Sequence, residues 1–142
     1  MKPMYTEQAK AEGGREGRVH SDDGRIDLML TRPKAIGGPG TGTNPEQLFA
    51  AGYAACFHSA MQFVAQSRHL DLAGSSVEGH VTLGTTEPGP GFALAVRHVV
   101  SLPGLDQAAA EALVHEAHQV CPYSNATRGN VDVQFEVRGR TA

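Results

Sequence analysis

The stretch from Asn44 to Arg68 constrains the fold more than any other part of the chain. Asn44-Pro45-Glu46-Gln47 reads as a helix start. It has an Asn cap, a proline at the first helical position, an acid at the positive end of the helix dipole and a Gln three residues after the cap. The following residues are apolar nearly all round through Phe57, and Ala50, Ala51, Gly52, Ala54, Ala55 and Ala60 keep the cylinder narrow. A helix running to about Arg68 is therefore expected at the centre of the fold, closely approached by its neighbours. Between Leu48 and Val64 the run also carries His58, Ser59 and Gln62 and falls short of the roughly 20 apolar residues that span a bilayer, so a core helix is expected rather than a membrane insertion. Cys56 lies in its middle.

The rest of the chain supplies strands and a second helix. Tyr5–Glu12, Arg18–Ser21 and Ile26–Leu30 read as a meander turned at Gly13-Gly14 and Asp23-Gly24. Gly37-Gly38-Pro39-Gly40-Thr41-Gly42-Thr43 reads as an ordered loop or hinge; it lacks the lysine of a phosphate loop and does not match G-x-G-x-x-G. Val77–Leu83 and Phe92–Val100 alternate around Pro88-Gly89-Pro90-Gly91, giving a second hairpin. Leu105, Ala109, Ala112, Leu113, Ala117 and Val120 recur at helical spacing behind an Asp106 cap. Pro122 opens a short helical turn, and Val131–Val137 alternates as a last strand. The order is α+β. With 142 residues of which 40% are hydrophobic, one core and a single domain over 1–142 are expected.

A net charge of -3 with no run of Lys or Arg gives no footprint for a phosphate backbone, so nucleic acid is not an expected partner. The first residues, Met1-Lys2-Pro3-Met4-Tyr5-Thr6-Glu7, carry no apolar core of signal-peptide length, so a cytoplasmic location is expected. In that reducing compartment the two cysteines are core thiols or redox-active ones rather than a structural bridge.

Cys56 on an apolar helix is a small core residue unless something activates it. A thiol of pKa about 8.5 is roughly 3% thiolate at pH 7, and apolar burial lowers that fraction, so a nucleophile here needs a nearby positive charge. Arg15, among the glycines of Gly13-Gly14-Arg15-Glu16-Gly17, is one candidate source and equally reads as a solvated turn residue. Glu46 has a structural role in the helix dipole whatever else it does. Cys121, just before Pro122 at a helix start, has its own claim to be the primary nucleophile. His115, His118 and Cys121 recur every three residues, which fits a polar helix face better than a metal site, since neither a zinc-finger pairing nor His-Glu-x-x-His is present. No metal and no cofactor are expected.

Two segments, Thr43-Asn44-Pro45-Glu46-Gln47-Leu48-Phe49-Ala50-Ala51-Gly52-Tyr53-Ala54-Ala55-Cys56-Phe57 and Val120-Cys121-Pro122-Tyr123-Ser124-Asn125-Ala126-Thr127-Arg128-Gly129-Asn130, resemble the signatures of the organic hydroperoxide resistance (Ohr) proteins of the OsmC superfamily. The order of elements, the Gly13-Gly14-Arg15 start and the Gly37-Gly38-Pro39-Gly40 loop match as well, so the resemblance covers nearly the whole chain. It implies an OsmC-like α+β fold of antiparallel sheets with a long central helix in an intertwined homodimer. It also implies a peroxidatic cysteine at Cys56, a resolving cysteine at Cys121, and an Arg15–Glu46 pair that supports the thiolate. The implied substrates are alkyl and fatty-acid hydroperoxides, and the implied reductants are dithiols of the dihydrolipoyl type, including lipoylated proteins. His58, Ser59 and Met61 depart from the mainly aliphatic or small residues usual after Phe57, and His58 sets the local polarity beside Cys56. A broader OsmC-type peroxidase and a hydrophobic-ligand binder with passive cysteines are the alternatives.

The helix itself imposes a geometric condition. Ten residues at about 1.5 Å each separate Glu46 from Cys56 by roughly 15 Å along an uninterrupted axis. One guanidinium touching both groups then requires either a break near the helix start or a partner subunit. The narrow Ala-rich surface favours the second, with each active site at a dimer interface.

Overall fold

The computed structural model describes residues 1–141 and comprises two compact units, Met1–Leu48 and the chain from Phe49 onward. In the first unit β1 (Ala9–Glu12), β2 (Arg18–Ser21) and β3 (Asp27–Met29) form an antiparallel meander in that order. β1 starts at Ala9 rather than Tyr5 because Ala9 already pairs with Ser21, the last residue of β2, leaving Tyr5–Gln8 nothing to pair with. A short 3₁₀ turn, Gly14–Glu16, joins β1 to β2. It is entered through Gly13 at φ +75°, a left-handed conformation suited to glycine. It closes at Gly17, where a Cβ would stand 1.8 Å from the Glu12 carbonyl oxygen.

The glycine-rich loop is ordered by its backbone. The Gly42 N–H donates to Thr31 Oγ1 at 2.7 Å, and Thr43 exchanges main-chain bonds with Met29 and Thr31 at 2.9 and 3.0 Å. This delivers the chain to Asn44, whose side-chain oxygen accepts the Gln47 N–H at 2.9 Å and caps α1 (Pro45–Arg68). Gln47 does not complete a reciprocal box; its Oε1 accepts the Thr43 hydroxyl instead at 2.9 Å.

α1 runs unbroken for 24 residues. It is long and apolar enough to cross a membrane by length and composition, yet Tyr53, Phe57, Ala60, Met61, Val64 and Ala65 are buried as a core stripe. Ala51, Ala55 and Ser59 are exposed, so the helix is not enclosed all round as its composition suggests; one face of small side chains stays open.

In the second unit β4 (Ser76–Thr85) pairs antiparallel with β5 (Phe92–Leu102), and β6 (Asp132–Gly139) pairs parallel with β5. This sheet is thus mixed rather than purely antiparallel, because α2 (Gln107–Val120) and α3 (Pro122–Thr127) intervene and return the chain in the same direction. Gly79 lets β4 approach α1 closely: a Cβ there would meet the Ala50 carbonyl oxygen at 2.9 Å. Asp106 caps α2 by accepting the Ala109 N–H at 2.9 Å. The buried stripe of α2 is Ala110, Leu113, Val114 and Ala117, whereas Ala112 and Val120 are exposed. The many alanines make the phase of this helix ambiguous in sequence: Leu113 and Ala117 are buried as expected, with Ala110 and Val114 completing the stripe in place of Ala112 and Val120. Val96, Val100, Leu102 and Leu105 complete the core with the buried face of α1.

Candidate active site

The centre of α1 and the junction between α2 and α3 bring the two cysteines together. Cys121 closes α2, with its N–H donating to the Ala117 carbonyl at 2.9 Å, and also caps α3, its sulfur accepting the Ser124 N–H at 3.5 Å. The extended backbone needed at this junction is enforced by Pro122, which disfavours helical geometry in the residue before it. Cys121 is fully buried, Cys56 is half-buried, and both thiols are free. The Cys121 thiol donates to the Cys56 sulfur across 3.6 Å, joining residues 65 apart in sequence.

Burial pushes the Cys56 thiol above its ordinary range, the neighbouring Cys121 pushes it the same way, and the Tyr123 main-chain N–H draws it partly back. Within this pair alone Cys56 is a protonated thiol at neutral pH.

The second pair lies in the first unit. The Arg15 guanidinium donates to both Glu46 oxygens, Nη1 to Oε2 at 2.7 Å and Nη2 to Oε1 at 2.6 Å. Such a fork fixes the plane of the guanidinium as well as its position. Hydrogen bonding from Arg15 holds the Glu46 carboxyl below its ordinary range, and the bond to Glu46 raises Arg15 in turn. Because α1 is unbroken from Pro45 to Arg68, the alternative in which a helix break draws Glu46 toward Cys56 does not apply.

His58 Nε2 is hydrogen-bonded to Ser75 Oγ at 2.9 Å, so its polarity is engaged by the loop before β4. His118 packs edge-on to Phe135 at 5.0 Å, and among the described residues no group of three metal-ligating side chains assembles.

Two features escaped the sequence reading. Tyr53 is fully buried, and its hydroxyl lies 2.9 Å from Ser124 Oγ and 3.1 Å from Thr127 Oγ1. The only sequence signal was positional: Tyr53 precedes Cys56 by three residues and Ser124 follows Cys121 by three. The other is His98 on β5, fully buried with neither ring nitrogen hydrogen-bonded among the described residues, between Tyr53, Phe57 and Phe135. A cavity of about 500 Å³ opens beside α3, lined by Phe49, Leu94, Tyr123, Ala126, Thr127, Asn130 and Val131.

Residues 38–136 match the family model described as OsmC-like protein. The chain is 54% identical over 134 residues to the organic hydroperoxide resistance protein of Xanthomonas axonopodis pv. citri, covering 93% of each. The crystal structure of an organic hydroperoxide resistance protein OsmC from Legionella pneumophila superposes with a TM-score of 0.91 at 51% identity, covering 99% of this chain and 100% of that one. OhrB of Bacillus subtilis superposes with a TM-score of 0.85 at 48% identity, covering 93% of this chain and 97% of that one. With the fold, the paired cysteines and the near-complete coverage in agreement, the chain belongs to the organic hydroperoxide resistance proteins of the OsmC-like family.

Proposed function

We propose that this protein is a thiol-dependent peroxidase that reduces organic hydroperoxides to alcohols through Cys56 and Cys121. Its family gives it a redox role in organic hydroperoxide resistance. The observation that carries the mechanism is the 3.6 Å approach of two free thiols at the junction of α1, α2 and α3. The Cys56 thiolate attacks the terminal oxygen of ROOH, the O–O bond breaks, ROH leaves with a proton, and Cys56 becomes a sulfenic acid. Cys121 then attacks the Cys56 sulfur, the S–O bond breaks, and hydroxide leaves as water with the Cys121 proton, giving a disulfide.

Because burial raises the Cys56 thiol, the first step needs a cation, and the fork held by Glu46 makes Arg15 the residue for that role. With an unbroken α1, the reading that fits is a homodimer in which Arg15 and Glu46 of one subunit serve Cys56 of the other. The apolar cavity lined by Tyr123, whose main-chain N–H draws the Cys56 thiol partly back down, suits the alkyl portion of a fatty-acid hydroperoxide. Regeneration takes two electrons and two protons, which a dithiol of the dihydrolipoyl type, free or protein-bound, delivers by forming its own ring disulfide.

Mass spectrometry of the reduced protein after one equivalent of an alkyl hydroperoxide tests the scheme. A loss of two mass units, with one equivalent of alcohol formed, is expected. Unchanged mass with the hydroperoxide intact would show the cysteines to be passive.

A further inference from the structure

We propose that Tyr53 is a positioning residue for the resolving step, acting through Ser124 and Thr127 to hold Cys121 in line with Cys56. The inference rests on the cysteine-pair reading above. Tyr53, Cys56, Cys121 and Ser124 form a closed circuit. Tyr53 and Cys56 lie one turn apart on α1. Cys121 donates to Cys56 at 3.6 Å, the Ser124 N–H donates to Cys121 Sγ at 3.5 Å, and Ser124 Oγ meets the Tyr53 hydroxyl at 2.9 Å. Thr127, at the far end of α3, joins the same hydroxyl at 3.1 Å and anchors its own Oγ1 on the Ser124 carbonyl at 3.2 Å.

α3 has only six residues, too short to hold itself as an isolated helix. Its place relative to α1 therefore depends on what ties it down, and the Tyr53 hydroxyl takes both of its buried side-chain hydroxyls. The Tyr53 ring cannot follow a moving α3. It packs edge to face with His98 at 4.4 Å and with Phe49 at 6.1 Å, and is fully buried. The tether thus ends on a fixed point of the same helix that carries Cys56.

Resolution is an in-line displacement at sulfur: the Cys121–Cys56 S–S bond forms as the S–O bond of the sulfenic acid breaks and water leaves. Its rate depends on the fraction of time Cys121 Sγ spends in the attacking position, and an error of about 1 Å there can cost as much as a hundredfold. Peroxide attack at Cys56 draws on α3 only through the Tyr123 N–H and one wall of the cavity, whereas resolution moves Cys121 itself, so the second step is the more sensitive to the tether.

The test is rapid-mixing kinetics of the reduced full-length protein with an alkyl hydroperoxide. The second-order phase reports sulfenic acid formation and the peroxide-independent phase reports disulfide formation. Tyr53→Phe is expected to slow disulfide formation roughly five- to thirtyfold, consistent with losing hydrogen bonds that each contribute modestly. The first phase should be slowed several-fold less than the second, and over-oxidation of Cys56 per turnover should rise in proportion to the slower second phase. Ser124→Ala, which keeps the Ser124 N–H and the ring packing, should show the same split with a smaller effect and decides the matter if Tyr53→Phe folds poorly. A disulfide rate within twofold of wild type in Ser124→Ala or a folded Tyr53→Phe overturns the inference, as does equal slowing of both phases. If the wild-type protein forms no disulfide, the underlying cysteine-pair reading fails instead.

Discussion

The thiol of Cys121 points at the sulfur of Cys56 across 3.6 Å, although Cys121 is fully buried and serves at once as the end of α2 and the cap of α3. A disulfide bond is about 2.05 Å long, so roughly 1.5 Å of closure separates the reduced pair from the bridged one. That is a side-chain adjustment of the two cysteines, requiring no unfolding. In the proposed mechanism the fully buried Cys121 is the second thiol to act and the half-buried Cys56 the first.

This order predicts a clear division of labour. Cys56→Ser should abolish hydroperoxide consumption, whereas Cys121→Ser should consume one equivalent and then stall as a sulfenic or over-oxidised species. Counting equivalents of alcohol formed in a single turnover distinguishes the two. A first turnover in Cys56→Ser at the wild-type rate would reverse the assignment.

The proposed activation of Cys56 predicts how it responds to Arg15. If the Arg15 guanidinium compensates a thiolate whose burial is unfavourable, Arg15→Ala should raise the Cys56 pKa further, moving the midpoint of alkylation by iodoacetamide to higher pH. Each unit of that rise removes about tenfold of the thiolate at neutral pH, and peroxide turnover should fall at least as much. Glu46→Gln, which leaves the charge but loosens the fork, should shift the midpoint less. An unchanged alkylation profile in Arg15→Ala would remove Arg15 from the mechanism.

How much of this arrangement the sequence revealed depended on whether the signal was local. α1 was legible from its first residue to about its last because Asn44, Pro45 and Glu46 are local start signals and the apolar run is long. The phase of α2 was not, since Ala109, Ala110 and Ala112 fit either side of the stripe and only packing against β6 and the core chooses Ala110. The cysteines and the Arg15–Glu46 pair were visible as residue types, but their partnerships span 65 and 31 residues and came from family resemblance alone. Tyr53 was invisible for a different reason. A hydroxyl carries no sign of whether it faces water or another buried hydroxyl, and its three-residue offset from Cys56 gains meaning only once Ser124 is known to stand opposite.

The approach of Arg15 to Glu46 depends on the tight turn that carries it, and Gly17, which closes that turn, is its critical point. A Cβ at Gly17 would stand 1.8 Å from the Glu12 carbonyl oxygen and 2.8 Å from the Gly13 Cα, both backbone atoms that cannot rotate away. Gly17→Ala should therefore displace the Gly14–Glu16 turn, costing about 1–3 kcal/mol by overpacking and reducing turnover toward that of Arg15→Ala. Thermal melting and turnover measured on one preparation check it. Wild-type values of both would show that the turn tolerates a side chain.

His98 gives a dependence of stability on pH. Burial lowers its pKa to about 4 from an ordinary 6.5, with His118 and His80 adding like-charge repulsion. The folded state thus keeps His98 neutral while the unfolded chain takes up a proton below pH 6.5. The stability contributed by neutral His98 is complete above pH 6.5, is lost progressively as pH falls toward 4, and levels off below, by an amount on the order of 3 kcal/mol. Denaturant melts of His98→Phe against wild type should show a flatter profile between pH 6.5 and 4. Parallel profiles would assign the acid sensitivity elsewhere.

The last prediction concerns the two pairs and the helix that carries one member of each. Glu46 and Cys56 are ten residues apart on an unbroken α1, about 15 Å along its axis, and Glu46 holds Arg15 in a two-bond fork. The proposed reading leaves that fork intact and assigns it to the thiolate of the other subunit. In a two-fold dimer the arrangement is repeated, and the fork of one subunit can face Cys56 of the other. The exposed Ala51, Ala55 and Ser59 along α1 leave room for such an approach. Mixing inactive Cys56→Ser with inactive Arg15→Ala protein should then restore about half of the wild-type activity in heterodimers, because one site combines an intact Cys56 with an intact Arg15 while the other lacks both. Tagged heterodimers purified after subunit exchange give the clean measurement. Persistent inactivity with exchange verified would mean that Arg15 acts on Cys56 of its own chain, after release from Glu46.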